Sequence, residues 1–443
     1  MALRNSSPWL PVVLAGLAAA PLAAQAQAPV RLSFAEAVSR AAGAAPAVEL
    51  AGLRLREADA RVRQARSALL PSFAVAGAWV NRNFNKDALG IPFVLPGPNP
   101  VPAFNDYDAR LTATQTLFDF SSAARVRAAR AQANGTGAER SVVVEGSAAT
   151  AAIAYLRAAR AAASAGARRA DSSIAAELVR LAAAQKAAGV SAAIDVTRAR
   201  TQLVVAEGLL IVAQNERDRA RIDLARALGI DPATPIELAD TLASSLGAAD
   251  VPAGRDAIVA RAMATRPDLL AESARGIAAR RTSTAIAAER LPRISVEGDY
   301  GVNGLTVPNA IATRQLALQV SIPILDGFHR EGRLAEQDAI AQESAVREKD
   351  LRQQIAAEVD AALLELRSAS AQQAIAAERL RLAEDELAQA RERFAAGVAG
   401  NIEVITAQAS LIQARDADID TRFSAALARV ALARAVGAAR TLH

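Results

Sequence analysis

Two acids occupy matching positions in two similar stretches. Asp195 stands six residues after Gly189 in "QKAAGVSAAIDVTRARTQ" (185–202), and Glu403 stands six residues after Gly397 in "RFAAGVAGNIEVITAQ" (393–408). In each stretch a helical pattern stops at Gly-Val and restarts with the acid. A first-turn carboxylate suits the positive end of a helix, and Arg198 lies three residues after Asp195, within reach for an ion pair. Catalytic chemistry finds little material. The chain has no cysteine and only two histidines, His329 and His443. His329 follows "LDG" at an expected strand-to-helix junction and reads as a surface or interfacial residue. No phosphate-binding or dinucleotide-binding glycine motif occurs. The expectation is a non-enzyme with no cofactor and no metal, drawing any energy it needs from a partner.

Composition narrows the class further. Across 443 residues, hydrophobic types reach 52% but aromatics only 3%, which points to alanine-rich helix packing. The net charge of +5 divides into 51 bases and 46 acids without a dense basic run, so nucleic acid is not an expected partner. Arg4, the apolar "WLPVVLAGLAAAPLAA" and "AQAQA" read as a secretory signal over 1–26, cleaved after Ala26. Without cysteine, the exported chain cannot be a lipoprotein anchored through an N-terminal cysteine.

The elements that hold the two acids come in duplicate. Pro46 and Pro71 match Pro267 and Pro292; Asp119, Gly189 and Gly229 match Asp326, Gly397 and Gly437. The expected organisation is a first repeat over 27–240, a linker over 241–254 and a second repeat over 255–443. The halves differ in length mainly at one loop, Pro-rich near 85–106 and short at 302–313. The flanks of these loops alternate with period two around 72–80, 110–117, 294–300 and 315–322, giving four strands in two hairpins. No proline occurs from 103 to 231 or from 324 to 443. Helices are therefore expected over about 121–188 and 328–396, each roughly 100 Å long. A helix of about forty residues follows each Gly-Val, with coiled-coil spacing at Ile402, Ile405, Ala409, Ile412, Ile419 and Phe423.

Each half thus reads helix, strand, loop, strand, long helix, turn, helix. Four amphipathic strands are too few to close a membrane barrel, and lipid does not tolerate an open sheet edge, so copies must share one. The fold class is mainly α with a β-barrel portion. The duplicated "ARSALLPSFAV" and "AAERLPRISVEG", "LFDFSSAARVRAARAQ" and "ILDGFHREGRLAEQ", with the two Gly-Val stretches, resemble the TolC family of outer-membrane efflux and secretion channels over 27–443. The resemblance implies a homotrimer in outer-membrane lipid, a twelve-stranded barrel and a periplasmic α-helical tunnel. It also implies a periplasmic adaptor and an inner-membrane transporter as partners.

Within that resemblance the Gly-Val turns become the periplasmic tip. Gly189, Val190, Ser191, Gly397, Val398 and Ala399 are expected to meet the adaptor. Asp195 and Glu403 would place six carboxylates of a trimer around one aperture, favouring cations, with Arg198 and Thr406 beside them. Many relatives carry a second acid where Thr406 stands, and those that lock the closed tip do so at positions matching Phe394 and Ala399, neither of which can form a salt bridge. The rival readings are a periplasmic adaptor, which needs β-rich segments flanking a single helical hairpin, and a structural envelope coiled coil, which needs no strands.

Overall fold

The computed structural model describes residues 30–89, 96–244, 246–249 and 251–443. The expected signal peptide over 1–26 lies outside them.

The chain opens with a three-residue strand β1 (Val30–Leu32), then α1 (Phe34–Ala44) and α2 (Pro46–Ser67). Pro46 separates these helices: a proline is tolerated at the first position of a helix but not within one. Next come β2 (Ser72–Phe84) and β3 (Val101–Asp119), then α3 (Phe120–Ala187) and α4 (Ala193–Ala227). A short β4 (Ile236–Leu238) runs parallel to β1. The order then recurs as α5 (Arg255–Thr265), α6 (Pro267–Ala287), β5 (Arg293–Gly304), β6 (Ile311–Ser321), α7 (His329–Ala395) and α8 (Asn401–Val436). The β1–β4 pair has no counterpart in the sequence reading, because three residues are too few to show a period.

Strands β2, β3, β5 and β6 form one antiparallel sheet in that order. Here the strands outrun the alternating stretches. β3 begins at Val101, inside the region expected to be loop, and Pro102 sits where the pairing with β2 shifts register. A residue without an N–H fits such an irregularity. One face is apolar across the registers Val75–Leu111–Tyr300 and Val296–Leu318, and it is bare: Val75 is 82% and Leu316 80% exposed. The other face carries Thr112, Asp299 and Gln315 in register, with Arg110 bonded to Asp108 and Asp299.

α3 has 68 residues and α7 has 67, so each runs about 100 Å. Each folds back on a shorter partner. The α7–α8 seam is heptad-spaced: Ile355, Val359, Ala362, Ala369, Ala376, Ala383, Leu387, Ala390 and Phe394 meet Val404, Ala407, Leu411, Ala414, Ala425, Ala428 and Leu432. Small alanines at these positions let the two helices approach closely, which explains a core with so few aromatics. Midway along α3, Ala148, Ala152, Tyr155 and Leu156 pack under α1, the β1–β4 pair, the end of α4 and the chain's last turn. Tyr155 is fully buried and its hydroxyl donates to the Leu32 carbonyl at 3.0 Å. Within the expected linker, Leu242 and Leu246 are buried, the latter in this same cluster.

Candidate functional site

The two Gly-Val turns lie side by side at the end of the helices farthest from the sheet, and their backbones match. The Val190 N–H donates to the Gln185 carbonyl and the Gly189 N–H to Lys186, each at 3.0 Å. Val398 to Arg393 and Gly397 to Phe394 repeat both bonds at 3.0 Å. This is the Schellman closure of a helix, and it needs a left-handed residue after the cap. Gly189 and Gly397 supply it with φ of 75° and 71°. A Cβ at either would meet nothing within 4 Å, so conformation rather than space selects glycine.

Each acid is engaged by its own hairpin. The Asp195 carboxylate accepts the Ser191 hydroxyl at 2.8 Å and the Ala192 N–H at 3.3 Å, with Arg198 at 3.9 Å. Its side chain is 17% exposed, against 41% for Glu403, which pairs with Arg393 across the turn at 3.4 Å. Asp195 therefore ties its own turn together, while Glu403 keeps much of its charge in water. Thr406 is exposed and donates to the Ile402 carbonyl at 2.9 Å. Ser191 and Ala399 are half-buried, whereas Val190 and Val398 are bare at 69% and 74%. Ile194 and Ile402 extend that apolar surface by one helical turn. Phe394 is buried in the cluster behind the tip, with Leu178, Leu387, Val404 and Leu411.

The links between the two hairpins escaped the sequence reading. The Gln185 side-chain amide donates to the Phe394 carbonyl at 2.7 Å, and Asn401, fully buried, donates to the Asp195 carbonyl at 2.8 Å. Farther along, Gln408 reaches the Asp171 carbonyl at 3.4 Å and Arg415 the Asp171 carboxylate at 2.8 Å. Arg168 joins Asp416 at 2.6 Å and Arg160 joins Asp420 at 2.8 Å. Apolar heptads thus hold each hairpin, and the two hairpins meet through the apolar cluster behind the tip and through these polar contacts. A signal was present: Asn401, Gln408 and Arg415 recur every seven residues on α8. Among the described residues, no group of three or more His, Asp or Glu side chains is placed to hold a metal ion.

A bare apolar sheet face at one end and a twin-turn tip at the other, about 100 Å apart along continuous helices, meet their match among known proteins. A sequence profile described as outer membrane efflux protein matches residues 37–230 and 258–438. The chain belongs to the outer membrane efflux protein family. Protein CyaE of Bordetella pertussis is similar, at 27% identity over 390 residues, covering 87% of this chain and 79% of that one. Among solved structures, the outer membrane protein VceC of Vibrio cholerae superposes with a TM-score of 0.73 at 20% identity, covering 91% of this chain and 96% of that one. The Campylobacter jejuni CmeC outer membrane channel gives 0.75 at 16% identity, covering 98% and 94%. At these identities the structural likeness speaks for the fold, and it is the fold expected from the sequence. As a member of this family the protein is an outer-membrane channel protein and not an enzyme.

Proposed function

We propose that this outer membrane efflux protein is the outer-membrane conduit of a tripartite efflux or type I secretion system. The observation that carries the reading is the sheet. It bares a continuous apolar face and ends on two unpaired strands, β2 and β6. Neither feature is stable in water, and an open edge is not stable in lipid either. Pairing β6 of one subunit with β2 of the next removes both problems, and three subunits close a twelve-stranded barrel. The long helices then form a periplasmic tunnel. Each subunit supplies two structural repeats, 27–240 and 255–443, joined through 241–254, and is exported by the signal over 1–26 without a lipid anchor.

At the tunnel's far end, Val190, Ile194, Val398 and Ile402 offer the apolar surface on which a periplasmic adaptor docks, around Gly189, Ser191, Gly397 and Ala399. The adaptor connects the channel to an inner-membrane transporter, which supplies the energy. Asp195 and Glu403 set a negative aperture that favours cations, with Glu403 the stronger contributor because Asp195 is half spent on its own turn, beside Arg198. Thr406 adds no charge there. Cell fractionation tests the reading directly. A heat-modifiable trimer in the outer membrane that conducts in planar bilayers is expected; a soluble or inner-membrane monomer overturns it.

A further inference from the structure

One cluster of cations has no counter-charge. Between α3 and α6, close to the sheet, Arg127, Arg130 and Arg281 line an open groove of about 480 Å³ with Asn134, Ala274 and Ile277. No carboxylate lines it, and among the described residues none of the three guanidinium groups has an ion pair or hydrogen bond. Their neighbours behave otherwise. On the same two helices Arg125 pairs with Asp119 and Glu289, and Arg275 with Glu139 and Glu272. Three guanidinium groups gathered without an acid repel one another, and their forked donors match the oxygen pair of an anion such as a phosphate.

The groove's position names the source of that phosphate. Arg127, Arg130 and Asn134 share one face of α3 with Glu145, Ala148 and Ala152, at helical steps of three, four and multiples of them. Around 148–152 that face is covered by α1 and the β1–β4 pair. In a conducting tunnel such covering elements sit outside, so the arginine face is the outer one. Following the same face toward the sheet leads to Phe120, 54% exposed and with its ring tilted against that of Phe118, whose own exposure is 60%. Exposed aromatics at the end of membrane strands mark the lipid–water boundary. Arg127 lies about 10 Å and Arg130 about 15 Å beyond Phe120 along the helix. A headgroup layer of roughly 5–8 Å and an arginine side chain reaching back toward it close that distance.

We propose that this groove binds the phosphate headgroup of an anionic phospholipid in the periplasmic leaflet of the outer membrane. Three such grooves per trimer set the depth and tilt of the barrel. The inference rests on the channel reading above.

The test uses the full-length trimer in nanodiscs of phosphatidylethanolamine with a minority of phosphatidylglycerol, reading lipid occupancy by mass spectrometry of the intact assembly. Phosphatidylglycerol is expected to be enriched on the unmodified protein. Arg127→Gln with Arg130→Gln and Arg281→Gln is expected to lower its affinity about 100-fold, at roughly fivefold per arginine. The same charge loss at Arg180, Arg200 and Arg219, far down the hairpin, is expected to change nothing. Equal enrichment in the groove variant overturns the proposal, as does displacement of the lipid by millimolar inorganic phosphate, which makes this a small-anion site. Conductance measured on the same trimers keeps the two readings apart. Conducting trimers without lipid enrichment sink the lipid site alone, and protein that neither inserts nor conducts sinks both.

Discussion

Replacing Gln185 and Asn401 together by alanine should loosen the contact between the two hairpins at the tip. These two side chains make the amide-to-carbonyl links between the hairpins nearest the turns. A net hydrogen bond of this kind contributes about 0.5–1.5 kcal/mol. Two corrections bring the pair toward the lower half of that range. The Phe394 carbonyl keeps the Gly397 N–H after Gln185 is removed, and Asn401 carries a buried oxygen without a partner whose burden disappears with the side chain. The double variant should therefore lose about 1–2 kcal/mol of hairpin–hairpin adhesion per subunit, a shift of roughly 5- to 30-fold in the equilibrium between apposed and separated hairpins. Single-channel recording on purified trimers reads this as open probability at fixed voltage. The apolar seams inside each hairpin are untouched, so the thermal melt and the trimer band should be unchanged. Open probability within twofold of the unmodified channel, with the trimer intact, would show that these links do not govern the separation of the hairpins.

Three further outcomes follow from other parts of the molecule. Asp195→Ala with Glu403→Ala should raise conductance and weaken cation preference, with Glu403→Ala alone giving most of the effect; reversal potentials in a salt gradient check this, and unchanged selectivity in the double variant refutes it. Gly189→Ala and Gly397→Ala meet no clash but force a side chain into left-handed backbone, costing about 1 kcal/mol per turn, so amide exchange at Val190 and Val398 should quicken about fivefold while the helix interiors stay protected. Burial raises the Glu145 carboxyl above its ordinary value even though it accepts the Ala439 N–H and pairs with Arg440. A raised folded-state value stabilises the protein fully below the unfolded value and is lost as pH rises through the folded one. The melting temperature of the unmodified protein should therefore gain on that of Glu145→Gln as pH falls toward 4, and a constant difference contradicts the assignment.

Much of this molecule could be read in one dimension because its order is quasi-linear. Proline-free runs of alanine, leucine and charged residues leave a chain few options besides long helices, and Gly-Val marks where they turn because only glycine enters left-handed backbone cheaply. The bare strand face was legible for a similar reason: alternation records which side of a sheet meets an apolar medium. The membership of the efflux family followed from the ordered set of these features.

What the sequence left open concerns contacts between segments distant along the chain. Asp195 and Glu403 look equivalent in sequence, yet Ser191 and Ala192 occupy one carboxylate while Arg393 sits loosely across from the other. Asn401 and Gln185 are ordinary first-turn and last-turn residues until packing brings α8 against α4 and α3 against α7. The arginine groove likewise exists only where α3 and α6 converge, since Arg127 and Arg281 are separated by an entire helical hairpin. Sequence alone determined the periodicities, and so the long helices, the four main strands and the turns between the helices, because those depend on backbone preference and on neighbours within a few residues. Tertiary structure alone decided which polar groups met a partner and which were left bare, because hydrogen bonds and ion pairs act over a few ångströms in space and are indifferent to separation along the chain.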